Sequence, residues 1–229
     1  MAIKYYGSCS GNSGSKYNIW LEVTENSQSI ENNSSNVTVK LKLKRNDGYS
    51  ESAYNLNENE NYVKITINEN VVKSCNLQID TRNNVTVTLL TWNGDVTHNT
   101  DGTLDFNVEG TFTMSGTSVS GGNVSGSFQC VSIPRTSSFT LSKSSVIPNE
   151  EVKVSINSGS SAFSHKLILE LGDYTNKFTI SENVSEYSFS VPEEWANALP
   201  KSKIGNIAVT LKTYSNKKSI GSSQKNQLF

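Results

Sequence analysis

The sequence has little charge and no excess of either sign. Only 18% of its 229 residues are charged, and 20 Lys and Arg stand against 21 Asp and Glu, for a net charge of −1. Binding to nucleic acid or to an anionic membrane surface depends on clustered positive charge. We therefore expect neither nucleic acid nor membrane among the partners of this chain.

Long apolar runs and clustered cysteines are also missing. No segment approaches the roughly 20 apolar residues that cross a bilayer, and the N-terminus lacks the apolar stretch of a signal peptide. The three cysteines, Cys9, Cys75 and Cys130, are widely spaced and odd in number, unlike the framework of a small secreted domain. We expect three buried thiols, with a Cys75–Cys130 disulfide as the alternative.

Histidine is scarce, and motifs of catalysis are absent. The two histidines, His98 and His165, lie far apart in sequence. The chain has no nucleophile elbow, no phosphate-binding loop, no paired-histidine zinc motif and no dinucleotide fingerprint. We expect no catalytic residues and a protein that is not an enzyme.

The pattern that is present has a period of two. Val37–Leu43 reads VTVKLKL, which puts Val and Leu on one face and Thr and Lys on the other. Leu104–Met114 repeats this alternation directly after an Asp101-Gly102 turn, a hairpin signal. Short strands with polar turns predict an all-β fold, an antiparallel β-sandwich or jelly roll.

The alternation stops at Ile133–Arg135 and then restarts. We therefore predict two domains, a jelly-roll-like sandwich at 1–132 and an immunoglobulin-like sandwich of about seven strands at 136–229. The one helical signal is Pro192–Pro200, with proline at its start and acidic residues in its first turn.

Aromatic side chains are the candidates for ligand binding, because a sugar ring packs its C–H face on a π-surface. Tyr49 and Tyr54 are flanked by Ser, Glu and Asn, which favours exposure. Trp20 and Trp92 are further candidates, although packing in the core is the commoner role of tryptophan. The predicted ligand-binding residues are thus Tyr49, Tyr54, Trp20 and Trp92.

Carboxylates around the predicted hairpin are candidates for a metal site. Asp95, Asp101 and Asp105 could supply the oxygen ligands that Ca²⁺ prefers. The simpler interpretation is that Asp101 starts the turn and Asp105 lies on the outward face of a strand. Ca²⁺ is the only cofactor that the sequence suggests.

Short segments spread over nearly the whole chain carry a family resemblance. They are Ala2–Ser8, Trp20–Ile30, Arg45–Tyr54, Val96–Leu104, Gly122–Phe128, Ile133–Arg135, Trp195–Ser202 and the pair Thr213-Tyr214. In these segments the chain resembles phage minor structural proteins, encoded in tail modules of siphophages and prophages of Gram-positive bacteria.

This resemblance implies a virion protein at the tail tip, with a structural or host-recognition role. It implies other tail proteins as partners, a homo-oligomer, and host cell-wall polysaccharide as the ligand of an adhesive role. Synthesis would take place in the bacterial cytoplasm without a signal peptide. A stand-alone carbohydrate-binding module or bacterial adhesin is the alternative, and a glycan hydrolase is a third hypothesis.

The Tyr49–Tyr54 assignment can be tested by replacing both tyrosines with Ala. We expect weaker binding to host wall glycan, because the change removes the proposed stacking surface. Binding would be measured with labelled protein on isolated wall polysaccharide. Undiminished binding by a folded double variant contradicts the assignment.

Overall fold

A computed structural model describes residues 2–46, 61–77, 86–115, 117–199 and 204–229 of the chain. Strands account for 64% of the structure and helix for 4%, which confirms the predicted all-β sandwich fold. Within the described ranges, the helices are too short and too polar to cross a bilayer.

Backbone contacts divide the chain into two units. The first comprises Met1–Ser29, Ser34–Asn99 and Thr103–Ser132, and the second comprises Ile30–Asn33, Thr100–Gly102 and Ile133–Phe229. The division into domains at 1–132 and 136–229 stays a prediction.

The described part of the first unit forms two antiparallel sheets. Its strands are β1 (Ala2–Tyr6), β2 (Ser8–Ser10), β3 (Tyr17–Ser29), β4 (Ser34–Arg45), β5 (Tyr62–Ile67), β6 (Asn70–Asn76), β7 (Val87–Thr97), β8 (Asp105–Thr113) and β9 (Gly121–Gln129), with a 3₁₀ turn at Gly14–Lys16. One sheet has the order β1-β3-β4-β7 and the other β2-β9-β8-β5-β6. The inward residues of both sheets form one hydrophobic core.

The period-two pattern decides which side chains enter that core. Val37, Val39, Leu41 and Leu43 of β4 are fully buried, while the residues between them point outward. Each inward residue of β4 faces an inward residue of β3 across the sheet, as in the pair Leu41 and Leu21. A slip of one residue would turn this whole apolar set to solvent, so burial fixes the register.

Strand β1, at the edge of its sheet, contacts β9 of the other sheet through Tyr5. Tyr5 points inward, its hydroxyl donates to the Ser127 carbonyl at 2.6 Å, and its ring covers Gly126. A Cβ on Gly126 would lie 2.1 Å from a carbon of that ring. The adjacent Tyr6 points outward and is 69% exposed, as alternation along a strand requires.

The second unit forms a three-stranded and a four-stranded sheet in its described residues. Its strands are β10 (Ser138–Leu141), β11 (Glu151–Asn157), β12 (Ser164–Leu171), β13 (Tyr174–Ile180), β14 (Glu186–Ser190), β15 (Asn206–Ser215) and β16 (Lys218–Leu228). The sheet orders are β10-β11-β14 and β13-β12-β15-β16. This is an immunoglobulin-like arrangement in which the fourth strand joins the third rather than the fifth.

The predicted helical segment is a short 3₁₀ helix, Glu193–Ala198, with Pro192 as its N-cap. Trp195 on this helix is 2% exposed and contacts the ring of Tyr174, with centroids 5.9 Å apart. The helix therefore packs an aromatic side chain into the core of the second unit.

The cysteines differ from expectation. All three are free thiols, so the alternative Cys75–Cys130 disulfide is wrong. Cys130 is buried, Cys9 is half-buried and Cys75 is exposed, so the expectation of three buried thiols holds only for Cys130. Cys75 lies on β6, an edge strand with mostly exposed residues.

The contact between Tyr5 and Gly126 predicts a local limit on side-chain size. Gly126→Ala should lower the free energy of unfolding by about 1–3 kcal/mol, because the added methyl overpacks against the Tyr5 ring. Denaturant unfolding measures this, with the exposed neighbour Ser125→Ala as control. The cost should shrink when Tyr5 is also replaced by Ala; an equal cost in that background contradicts the explanation.

Candidate functional site

Of the four predicted aromatic binding residues, the structure describes Trp20 and Trp92. Tyr49 and Tyr54 lie outside the described residues. Trp92 pairs with the inward Val39 and packs against the core beside Gly94, which is the structural role considered for it. Trp20 points to the outer face of its sheet, yet is only 9% exposed.

Trp20 belongs to an ion-pair cluster on that outer face. Its indole Nε1–H donates to Glu22 Oε1 at 3.1 Å. The Glu22 carboxylate also pairs with Lys42 Nζ at 2.6 Å and with Lys4 Nζ at 3.4 Å. The hydrogen bond from Lys42, above all, lowers the pKa of Glu22 to about 2. Trp20 is thus held among charged neighbours and is not an open stacking platform.

The outer face of the five-stranded sheet carries an open groove around Tyr62, here called the Tyr62 groove. Its described lining comprises Ser8, Cys9, Ser10, Tyr62, Lys64, Thr111, Phe112, Thr113, Ser120, Gly121, Gly122 and Asn123. Tyr62 is 46% exposed. Its described lining therefore combines one exposed aromatic ring with several hydroxyl residues and one amide side chain.

Strand register arranges these groups in two parallel rows. Tyr62, Thr113, Gly121 and Ser10 are successive cross-strand neighbours on β5, β8, β9 and β2. The second row is Lys64, Thr111, Asn123 and Ser8. Because adjacent strands lie about 4.8 Å apart, each row spans roughly the length of a few sugar residues.

Two contacts shape the groove. Gly121 carries no side chain, and a Cβ there would lie 2.8 Å from the Phe112 carbonyl oxygen. No side chain therefore projects from the first row between Thr113 and Ser10. Asn123 Nδ2 donates to Glu109 Oε1 at 2.8 Å, which fixes the amide within the second row.

Sequence reasoning did not select Tyr62, although a signal was available. The alternating residues Val63, Ile65 and Ile67 are apolar and buried. Alternation then places Tyr62 and Lys64 on the outer face.

A second group of functional side chains, here called the Glu25 cluster, comprises Glu25, Ser35, His98 and Cys130. The Ser35 hydroxyl donates to Glu25 Oε1 at 2.6 Å and lies 2.7 Å from His98 Nε2. Ligand atoms of Glu25, His98 and Cys130 all lie within 4.8 Å of one another. Ser35 is fully buried, so it serves as a hydrogen-bond bridge and is not placed as an exposed nucleophile.

Burial and hydrogen bonds set the charges in the Glu25 cluster. Burial raises the pKa of the Cys130 thiol to about 11, helped by the nearby Glu25 charge. Burial also acts to raise the pKa of Glu25, but hydrogen bonds from Ser35 and the Val131 N–H outweigh it and lower that pKa. The cluster therefore pairs an ionised carboxylate with a protonated thiol at neutral pH.

The aspartates predicted as calcium ligands are not gathered at one point. Asp95 is exposed on β7 and accepts from Asn36 Nδ2 at 2.8 Å. Asp101 lies in the exposed turn, and Asp105 is the exposed first residue of β8. Across the described ranges, the Glu25 cluster is the one group of three or more metal-ligating side chains with this proximity. Calcium binding stays a prediction.

The ion pairs of Glu22 predict a pH dependence of stability. A carboxyl whose pKa is lower when folded stabilises the fold above its unfolded pKa, near 4.5, and loses that contribution as pH falls toward about 2. Thermal unfolding of Glu22→Gln should therefore depend less on pH in this window than wild type does. The exposed Glu151→Gln serves as control; identical pH profiles for wild type and Glu22→Gln contradict the assignment.

Solved structures show only distant similarity. An FMN-binding β-glucuronidase from Facaelibacterium prausnitzii L2-6 aligns at 9% identity and a TM-score of 0.29, over 95% of this chain and 33% of its own. The adhesin domain of Epf from Streptococcus pyogenes aligns at 12% identity and a TM-score of 0.27, over 93% of this chain and 79% of its own. The Endo-D glycoside hydrolase domain from Streptococcus pneumoniae R6 aligns at 12% identity and a TM-score of 0.28, over 92% of this chain and 33% of its own. The chain thus spans about a third of the first and third of these proteins.

Sequence comparison gives a family instead of an individual relative. No curated protein sequence matches the chain. One family model matches residues 5–229, almost the whole length. The resemblance drawn from the short motifs is thereby confirmed at the level of a siphovirus protein family. The chain belongs to the family described as "Siphovirus protein of unknown function (DUF859)".

Proposed function

We propose that this protein is a non-enzymatic component of the siphovirus tail that binds host cell-wall glycan through the Tyr62 groove. Membership of a siphovirus family supports a structural role in the virion. The groove supports the adhesive role, and it is the observation on which the choice of ligand depends.

The chemistry of the groove fits a carbohydrate better than an apolar ligand. The exposed ring of Tyr62 offers a stacking surface for the C–H face of a sugar. Thr113 and Asn123 present hydroxyl and amide groups that both donate and accept hydrogen bonds, as sugar hydroxyls require. Lys64 adds a cation that suits an acidic substituent on the glycan.

The same groove is poorly equipped for glycan hydrolysis. A glycosidase places two carboxyl groups about 5–10 Å apart across the scissile bond. None of the described lining residues is a carboxylate, and Glu109, which accepts a hydrogen bond from Asn123, is not among them. These features favour binding without cleavage.

An open groove with a single aromatic platform implies modest affinity per site, because it buries little surface of the ligand. A virion tail that presents several copies raises the effective concentration of sites and so converts weak contacts into firm attachment. Assembly into a homo-oligomer and with other tail proteins is therefore part of the proposal.

The proposal predicts that Tyr62→Ala weakens glycan binding about tenfold, a loss of about 1.4 kcal/mol per site, because the stacking surface disappears. Binding of labelled protein to isolated Gram-positive wall polysaccharide would be measured by titration. Tyr6→Ala is the matched control, since Tyr6 is equally an exposed tyrosine but lies on β1 in the other sheet.

The outcomes separate the two parts of the proposal. Equal loss in both variants, or no loss in a folded Tyr62→Ala protein, contradicts the groove assignment. If a folded oligomer binds no wall fraction, the adhesive role is contradicted and only the structural role in the virion remains. Molar mass from light scattering on the same sample tests the oligomer, and a strict monomer that binds glycan favours a free-standing module.

A further inference from the structure

Three segments that are distant in sequence bring different metal-ligating groups to one place in the first unit. Glu25 lies at a register shift of β3, His98 follows β7, and Cys130 follows β9. His98 and Cys130 are 5% and 3% exposed. Polar side chains buried to this degree need partners, and the Ser35 hydroxyl is one for His98.

We propose that Glu25, His98 and Cys130 form a zinc site. Carboxylate oxygen, imidazole nitrogen and thiolate sulfur are the three donor types that zinc uses in proteins. With metal–ligand bonds of about 2.0–2.3 Å, tetrahedral donors lie roughly 3.5 Å apart. The donor atoms here all lie within 4.8 Å of one another, so small side-chain rotations bring them to that spacing.

The position of Ser35 supports a common focus for these groups. Its hydroxyl lies 2.6 Å from Glu25 Oε1 and 2.7 Å from His98 Nε2, and the Cys130 sulfur lies within 4.8 Å of the ligand atoms of both of those residues. The carboxylate, the imidazole and the thiol therefore all point toward one small volume. A bound zinc ion would replace the hydroxyl as the partner shared by the carboxylate and the imidazole.

Two further hydrogen bonds orient the Glu25 carboxylate. The Val131 N–H donates to Glu25 Oε2 at 2.9 Å, and Gln28 Nε2 donates to Glu25 Oε1 at 2.9 Å. Such outer hydrogen bonds orient metal-ligating carboxylates and affect metal affinity. They leave the Glu25 carboxylate with a fixed direction before any ion arrives.

A surface groove provides access to the site. It is lined by Ile3, Glu25, Asn26, Ser27, Gln28, Phe128, Gln129 and Val131. Glu25 thus borders solvent on one side and the buried imidazole and thiol on the other. An ion entering along this groove meets the carboxylate first, and no part of the route involves the Tyr62 groove.

The site would join β3 to the segments that follow β7 and β9. Because zinc would bind the folded arrangement and not the dispersed ligands of the unfolded chain, it would raise thermal stability. The competing explanation is a hydrogen-bond network centred on Ser35, which closes this end of the sandwich without a metal.

The test is metal titration of the full chain after treatment with EDTA. We expect one zinc ion per chain by elemental analysis, a higher Tm with zinc, and a thiolate-to-cobalt charge-transfer band when Co²⁺ is used as the probe. Cys130→Ser should abolish this band, whereas Cys9→Ser and Cys75→Ser should retain it. These two controls keep the same chemistry at positions outside the cluster.

Glu25→Gln and His98→Gln provide the check if Cys130→Ser fails to fold. Each retains the thiol and should weaken Co²⁺ binding at least about tenfold, with the fold verified by circular dichroism. Absence of stoichiometric metal and of the band in wild type overturns the proposal. So does a band that persists in Cys130→Ser, or unchanged Co²⁺ affinity in both other variants.

Discussion

Burial of one face of the central strands against the opposite sheet is the constraint on which the rest of the structure depends. In β4 and β8 every second side chain enters the core, and this fixes the pairing register of their neighbours. Register in turn aligns Tyr62 with Thr113 and Lys64 with Thr111. The Tyr62 groove is thus a consequence of the apolar pattern on the other face of the same strands.

Alternation predicts the direction of a side chain but not its exposure. Trp20 and Tyr62 both point outward, yet Trp20 is 9% and Tyr62 46% exposed. The difference lies in cross-strand neighbours, because Trp20 lies beside the ion pairs of Glu22 with Lys4 and Lys42. Lys4 and Lys42 come from β1 and β4, so the segment of sequence around Trp20 does not identify them. The strand patterns and the all-β class were predictable for the opposite reason, since each depends on local periodicity.

The Glu25 cluster was beyond sequence reasoning for a related reason. Its members are separated by up to about a hundred residues, and none belongs to a recognisable motif. Glu25 takes the inward position that follows Val23 on β3 and pairs with the buried Val37. Pairing between distant strands, rather than composition, brings its carboxylate to the buried imidazole and thiol.

The two sites also differ in what the fold can tolerate at each. The outward residues of the Tyr62 groove, such as Tyr62 and Lys64, project from their strand without entering the core, so exchanging them costs little stability. The Glu25 cluster is buried, and removing one partner leaves the others with unmet hydrogen bonds, which costs about 1–3 kcal/mol each. If the groove binds host glycan as proposed, its ligand preference can therefore change along the rows without loss of the fold, whereas the Glu25 cluster tolerates little change.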